Sequence, residues 1–327
     1  MSLLRSASES RKVPGAGSSL NVTKSPLSFS DVSVRNAINA GSYWGPRILC
    51  SGPSIGATAG HADDHFNPYI INEQSFAQIV DGVDAARKAA RYTLKHGADL
   101  VKIMATGGVM SKNDEPGAPD FTYEEMRAIV EIAESRGRTT AAHAHGHAGV
   151  KNAVRAGITS IEHGMILDDE AIDMMAKAGT YLVPTIIAAY NIVTNGVAAG
   201  IPEWAVRKGE QVLSTHESGF RKCMAAGVKI AFGCDTATPF NRHGEQAREF
   251  GLMVKFGMEP VKTLIAATRT ASELLRWQDK VGTLEPGKLA DIVAFAGNPL
   301  VDIGLMQNAY FIMKDGVIYK SEGRNLF

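Results

Sequence analysis

The sequence predicts an α/β fold: a (β/α)8 barrel of parallel strands, followed by a small β-rich segment. Three observations predict it. Short apolar runs alternate with amphipathic helical stretches over residues 46–276, a glycine closes several of the helices, and a polar residue follows at the end of the next strand. Regular alternation of this kind is typical of a parallel sheet with helical crossovers. A chain of 327 residues accommodates one barrel of about 250 residues with a small appendage.

The first elements follow a leader. Residues 1–30 are rich in serine and lack an apolar period, which predicts a disordered segment; an organellar transit peptide is the alternative interpretation. The globular pattern starts at Asp31 with a helix over 32–40. We then expect a strand over 46–52 that leads into a glycine-rich loop over 53–64.

The central elements carry clear start signals. A capping box at 75–78 predicts a helix that ends at Gly97, and an apolar run containing Lys102 predicts the next strand. The stretch 107–119 is long for a connection in a compact domain, and loops of that length often serve as active-site lids. A second capping box at Thr122 predicts the helix that follows.

The later strands each lead to a polar residue. Two of them end near His143 and His163, a third runs over 180–187, and a fourth, after a long helix over 203–226, ends at Asp235. Together with the strands at 46–52 and Lys102, this count is two short of the eight that close a barrel. We therefore expect the first two strands to be missing, with an open sheet edge that favours association into a homo-oligomer.

The C-terminal part changes character. Two helical stretches over 244–255 and 260–276 are followed by short strands over 281–295 and 310–319, with an Asp-Gly hairpin signal in the second. The sequence thus predicts three parts, which are a disordered leader (1–30), a hydrolase-like barrel (31–279) and a remnant of a β-sandwich (280–327).

The composition excludes several classes of protein. Lysine plus arginine equals aspartate plus glutamate at 34 each, so there is no basic footprint for nucleic acid or an anionic membrane. Three scattered cysteines do not form a disulfide framework, which favours a reducing, cytoplasmic location. No apolar run approaches the roughly 18 residues of a membrane span, so we expect a soluble protein.

The candidate site lies at the predicted strand ends. In a parallel barrel these ends converge on one face, which would gather Lys102, His143, His163 and Asp235. Two histidines, an aspartate and a lysine that meet at strand ends are typical of a metal site. A buried lysine costs several kcal/mol unless its charge is neutralised; the alternative is that Lys102 reaches water at the strand end.

Five motifs in this order resemble the amidohydrolase superfamily, in particular its imidazolonepropionase-related branch with Xaa-Pro dipeptidases and ochratoxin-hydrolysing amidases. They are Val-Lys-Ile-Met-Ala-Thr-Gly-Gly at 101–108, His-Ala-His-Gly at 143–146, Ile-Glu-His-Gly at 161–164, Phe-Gly-Cys-Asp at 232–235 and Gly-Thr-Leu-Glu-Pro-Gly-Lys-Leu-Ala-Asp at 282–291. The resemblance runs from about residue 32 to the C-terminus.

The resemblance implies a barrel with a split β-sandwich and a site for two divalent metals, usually zinc. Position by position it implies that Lys102 is an N-carboxylated bridging ligand, that His143 and His163 bind the second metal, and that Asp235 binds the first and shuttles protons. Substrate-contacting roles are implied for three further residues, which are His61, His145 and Tyr190. The implied reaction is hydrolysis of an amide bond in a dipeptide or an N-acyl amino acid.

One departure limits the resemblance. The family carries a His-x-His pair on its first strand, whereas no histidine precedes His61 in this chain. Two expected ligands are absent, so this chain would hold one metal or none, where the intact family site holds two. Two alternatives stay open: a truncated, catalytically impaired relative, and a barrel enzyme in which Lys102 forms a Schiff base with a small-molecule carbonyl.

Overall fold

The computed structural model describes residues 29–63 and 77–326, so the leader predicted over 1–30 lies almost entirely outside the described residues. The helices are α1 (Ser30–Asn39), α2 (Val83–Lys95), α3 (Tyr123–Ser135), α4 (His147–Ala156), α5 (Asp169–Ala178), α6 (Ile186–Asn195), α7 (Glu203–Ala225), α8 (Arg248–Lys255), α9 (Pro260–Ile265) and α10 (Ala271–Leu274). The strands are β1 (Ser54–Gly56), β2 (Ala77–Ile79), β3 (Leu100–Met104), β4 (Thr139–Gly146), β5 (Ser160–Ile166), β6 (Tyr181–Val183), β7 (Ile292–Phe295), β8 (Ala309–Lys314), β9 (Val317–Ser321) and β10 (Arg324–Asn325).

The first six strands form one parallel sheet in the order β2-β1-β3-β4-β5-β6. A single parallel bridge from Leu182 to Ile230 extends the sheet beyond β6. The predicted α/β class and parallel pairing are therefore confirmed. Within the described residues the parallel sheet also has six strands, but its members differ from those predicted, because 77–79 contributes a strand and 228–235 contributes only the bridge.

The core lies between the sheet and the helices that cover it. Val101 and Ile103 alternate with Lys102 along β3 and are fully buried, as are Met126 and Ile129 on α3. Each such side chain contributes about 1.5–3 kcal/mol by leaving water. The period of two in the strand and of 3.6 in the helix thus aims Lys102 at the opposite face of the sheet from these helices.

Local start and stop signals are reproduced in several elements. Thr122 closes a capping box with Glu125 at the start of α3, as predicted. The helix predicted over 32–40 is α1, and the long helix over 203–226 is α7. Gly97 and Gly157 follow α2 and α4 with φ of 93° and 91°, a conformation in which a side chain would be strained.

Two N-terminal predictions are wrong. No strand forms over 46–52; the chain pairs with the sheet only at 54–56, inside the predicted loop. The single helix predicted over 75–97 is a strand, β2, followed by the shorter helix α2. Gly82, with φ of 85°, separates the two because a left-handed residue cannot continue either a strand or a helix; Ser75, the capping residue of that prediction, lies outside the described residues.

Three further boundaries differ from prediction. The strand predicted over 180–187 ends at Val183, because Pro184 cannot donate to the ladder and Thr185 turns with φ of 45° into α6. The run ending at Asp235 forms only the bridge at Ile230. The helix predicted over 244–255 begins at Arg248. The apolar composition of these segments does not distinguish a strand from an irregular buried stretch.

The C-terminal segment forms a second, antiparallel sheet in the order β10-β9-β8-β7. The hairpin at Asp315–Gly316 joins β8 to β9, as the Asp-Gly signal predicts. The described residues here form one sheet rather than two packed sheets, so the sandwich stays a prediction, as do the boundaries at 31, 279 and 280. Among the described helices, none has the length and apolar content needed to cross a membrane.

Candidate active site

Four histidine rings cluster at the carboxyl ends of the parallel strands. The ring centroid of His143 on β4 lies 4.2 Å from that of His61, 4.7 Å from that of His145 and 4.7 Å from that of His163. His145 and His163 stack at 5.1 Å. All four are buried, with at most 6% of each residue exposed. The structure therefore brings together four of the residues that the sequence singled out.

Neighbouring groups fix the orientation of these rings. His163 Nδ1 is 2.6 Å from the hydroxyl of Thr185, and His143 Nε2 is 3.2 Å from the carbonyl oxygen of Gly107. His61 Nδ1 lies 2.7 Å from the hydroxyl of Ser111. A hydrogen bond to one ring nitrogen selects the tautomer and aims the other nitrogen, which is how proteins prepare histidine for a metal or a proton.

A buried carboxylate that sequence reasoning missed connects the other two predicted residues. Glu162 on β5 is in register with His143, and its pKa is raised by burial, is held down by Lys102 and by a 2.6 Å hydrogen bond from Ser160, and is raised further by Asp235. Lys102 is only 5% exposed. Lys102, Glu162 and Asp235 therefore share one electrostatic environment, and the signal was an acid directly before His163 within a strand.

Asp235 occupies a tight turn rather than a strand end. Its φ is 49°, and its backbone oxygen accepts hydrogen bonds from the side chains of Thr238 and Asn241. Its carboxylate is half-buried beside Cys234, whose thiol pKa burial raises to about 12. The cysteine therefore stays a neutral thiol at physiological pH.

The long loop over 107–119 is held in place by a β-bridge where it begins and ends and by a buried lysine at its centre. A bridge joins Thr106 to Pro119, and the ammonium of Lys208 on α7 contacts the loop through the carbonyl oxygens of Gly108 (3.1 Å) and Ser111 (2.7 Å) and the carboxylate of Asp114 (2.8 Å). Lys208 is fully buried. The signal for it in the sequence was a lysine on the apolar stripe of a helix.

The loop also contacts the histidine cluster. The carboxylate of Asp114 accepts a 2.6 Å hydrogen bond from the hydroxyl of Ser111. The same hydroxyl contacts the ring of His61, which stacks on the ring of His143. A Cβ at Gly108 would lie 2.3 Å from the His61 ring, so only glycine permits this approach. The loop therefore packs directly against the histidine cluster; its role as a lid stays a prediction.

Asp120 contacts the cluster, whereas Tyr190 has its contact elsewhere. Asp120 accepts the backbone N–H of His61 at 2.8 Å, and burial raises the pKa of its carboxyl to about 6. Tyr190 lies on α6, is half-buried, and has the ammonium of Lys255 4.9 Å from its ring centroid. Tyr190 thus lies on a helix and contacts α8, whereas His143 and His163 lie on strands.

The chemistry of this donor set suits a divalent cation, since buried imidazoles and carboxylates at strand ends are its usual ligands. The positions of these side chains fit a metal site less well than their chemistry does. Within residues 29–63 and 77–326, no group of three or more histidine, cysteine, aspartate or glutamate side chains is placed so that it could hold a metal ion. His61 stacks on His143 and His145 on His163, whereas His143 meets His145 and His163 edge-on.

Comparison with known proteins identifies the family. The model of the amidohydrolase family matches residues 17–320 of the chain. The chain belongs to the amidohydrolase family. It is 34% identical over 311 residues to an ochratoxinase from Aspergillus niger, a match that covers 89% of this chain and 63% of that protein. The chain thus spans less than two thirds of the length of this curated relative.

Solved structures agree with this membership. A Xaa-Pro dipeptidase with methionine bound in its active site superposes with a TM-score of 0.84 at 40% identity, covering 90% of this chain and 73% of that one. A prolidase complexed with N-methylphosphonate-L-proline gives a TM-score of 0.84 at 31% identity, covering 90% of this chain and 74% of that one. The family resemblance stated from the motifs is therefore confirmed.

Proposed function

We propose that this amidohydrolase is a metal-dependent enzyme that cleaves an amide bond in a dipeptide or an N-acyl amino acid with a free carboxylate. The observation that carries the proposal is the buried cluster of His143 and His163 next to the group formed by Lys102, Glu162 and Asp235. The similarity to an ochratoxinase and a Xaa-Pro dipeptidase supports this substrate class.

Four residues would hold the metal, for which zinc fits a donor set of two imidazole nitrogens with carboxylate and carbamate oxygens. They are Lys102, His143, His163 and Asp235. When bound, a divalent metal lowers the pKa of water and polarises a carbonyl group. Lys102 would join this set after its ammonium group loses one proton and the resulting amine takes up carbon dioxide as a carbamate, with release of a second proton. That reaction replaces a cation by an anion beside Glu162, so we expect carboxylation and metal binding to occur together.

Asp235 is the proposed proton shuttle. Its carboxylate takes a proton from the attacking water molecule and then delivers that proton to the leaving amine nitrogen, acting as general base and then as general acid. Its place in a turn supports this role, because the side chains of Thr238 and Asn241 hold the turn by hydrogen bonds to the backbone oxygen of Asp235, and the residue is half-buried. We propose His61, His145 and Tyr190 as substrate contacts, and Tyr190→Phe should raise KM more than it lowers kcat.

The test combines metal content with hydrolysis. The purified chain is assayed for bound metal by mass spectrometry and for release of the amino acid from Xaa-Pro dipeptides and N-acyl amino acids, with C-terminally amidated substrates as controls. We expect Lys102→Ala and Asp235→Asn to abolish hydrolysis. Lys229→Ala, which removes a lysine that packs on the ring of Tyr181, should not. Full activity and metal content in Lys102→Ala would refute the ligand assignment.

A second candidate is a relative that binds ligands without hydrolysing them. The observation that favours it is the lack of a converging group of metal-binding side chains in the described parts of the chain. Metal content near zero, with no hydrolysis after zinc is supplied, would support this candidate. A Schiff-base role for Lys102 would instead give a reduced adduct with a carbonyl compound and borohydride. Homo-oligomer formation and the cytoplasmic location stay predictions, which sedimentation and fractionation would test.

A further inference from the structure

Helix α6 starts in an unusual way. Its N-cap residue is Thr185, a residue type that normally accepts a hydrogen bond from the first turn of the helix. Here its side chain makes no capping bond, and its backbone is left-handed, with φ of 45° and ψ of 46°. Its hydroxyl lies instead 2.6 Å from His163 Nδ1. The first backbone N–H groups of α6 therefore need another acceptor.

That acceptor is Glu249 on α8. Its two carboxyl oxygens accept the backbone N–H groups of Ile186 at 2.7 Å and of Ile187 at 2.8 Å. Glu249 is fully buried, and burial raises the pKa of its carboxyl to about 8. A buried carboxyl is a costly way to cap a helix when a threonine stands at the N-cap position.

We infer that Glu249 is a positioning residue for the hydrolytic site: by capping α6 from a neighbouring helix, it releases Thr185 to orient the ring of His163. This inference rests on the proposed function for its consequence in catalysis, although its structural part does not depend on activity. Glu249 acts through Thr185, because its own hydrogen bonds are with the backbone N–H groups of Ile186 and Ile187, the two residues that follow Thr185.

The structural part is tested in the metal-free protein by NMR. The 15N shifts of the two ring nitrogens of His163 report which tautomer its neighbours select. Thr185→Val removes the hydroxyl, and Glu249→Gln leaves one of the two N–H groups without its acceptor. We expect both changes to move the His163 shifts toward a mixture of tautomers, whereas Thr185→Ser keeps the wild-type shifts.

The chain offers matched controls at another helix. Glu125 also accepts two backbone N–H groups, from Gly82 and Thr122, and Thr122 is also an N-cap threonine. Glu125→Gln and Thr122→Val should lower the melting temperature without moving the His163 shifts. If they move these shifts as much as the changes at α6 do, the effect is general loosening and the inference fails.

A double variant tests whether Glu249 acts through Thr185. In the Thr185→Val background, Glu249→Gln should add no further change to the His163 shifts. An additional change, or wild-type shifts in Glu249→Gln alone, would overturn the inference. If Glu249→Gln does not fold, the same measurement on Glu249→Asp, which shortens the reach of the carboxyl by one methylene, decides the matter.

Activity provides the second readout. If the proposed function holds, Glu249→Gln should lower kcat/KM by about 10- to 100-fold, the range for losing a group that orients a metal-binding histidine, with most of the loss in kcat. Wild-type kcat in this variant would overturn the catalytic part. An inactive wild-type protein whose His163 shifts respond as expected would refute the proposed function alone.

Discussion

The fully buried His216 on α7 predicts a specific dependence of stability on pH. Its ring packs edge-on against Phe256, and neither ring nitrogen has a hydrogen-bond partner among the described residues. Burial lowers the pKa of its imidazole from 6.5 to about 3. The folded protein therefore keeps this histidine neutral, whereas the unfolded chain takes up a proton below pH 6.5.

The sign and the size follow from this difference. Because the unfolded state binds the additional proton, the free energy of unfolding is unaffected above pH 6.5 and decreases as the pH falls from 6.5 to about 3. The loss reaches about 2 kcal/mol at pH 5 and about 5 kcal/mol below pH 3, at 1.36 kcal/mol for each pKa unit. His216→Leu removes the titrating group and two unpaired nitrogen atoms, so at pH 7.5 its stability should lie within about 1 kcal/mol of the wild type.

The assay is urea unfolding of the wild type and of His216→Leu between pH 4.5 and 7.5. The stability of the variant relative to the wild type should rise by about 2 kcal/mol as the pH falls to 5. Val212→Ala serves as the control, since it changes an apolar side chain one helical turn away on the same buried face of α7. Its destabilisation should be constant with pH. Parallel profiles for His216→Leu and the wild type would refute the reasoning.

Three other perturbations should follow the same physical reasoning. Lys208→Met should cost about 3–5 kcal/mol in urea unfolding, because it leaves the carboxylate of Asp114 buried without a cation; the added change Asp114→Asn should recover part of that loss, and no recovery would argue against the ion pair. The free energy of unfolding should fall by as much as about 5 kcal/mol between pH 4.5 and 8 through Glu249, since the folded state retains its proton up to about pH 8; an unchanged slope in Glu249→Gln would contradict this. Gly108→Ala should destabilise the protein by about 1–3 kcal/mol and displace the ring of His61, which its Cβ would meet at 2.3 Å; unaltered His61 signals in an NMR spectrum would rule out the clash.

The outcome at individual elements shows which signals are local. The capping box at Thr122 and the helix-ending Gly157 are encoded by neighbouring residues, and both lie where the sequence places them. The motif residues His143 and His163 follow glycine-terminated helices, and the structure brings their rings to 4.7 Å. Apolar runs alone were less reliable: the run ending at Asp235 forms a turn with a single bridge.

The sequence by itself thus determined the α/β class, the family, most of the helices and the candidate residues at the strand ends, because each depends on short motifs and on their order along the chain. Only the tertiary structure decided how charges and hydrogen bonds are shared. Lys208 contacts Asp114 across 94 residues, and Glu249 caps Ile186 across 63. Such pairings depend on which buried groups meet once the helices pack on the sheet, and residue type alone does not encode a partner that distant.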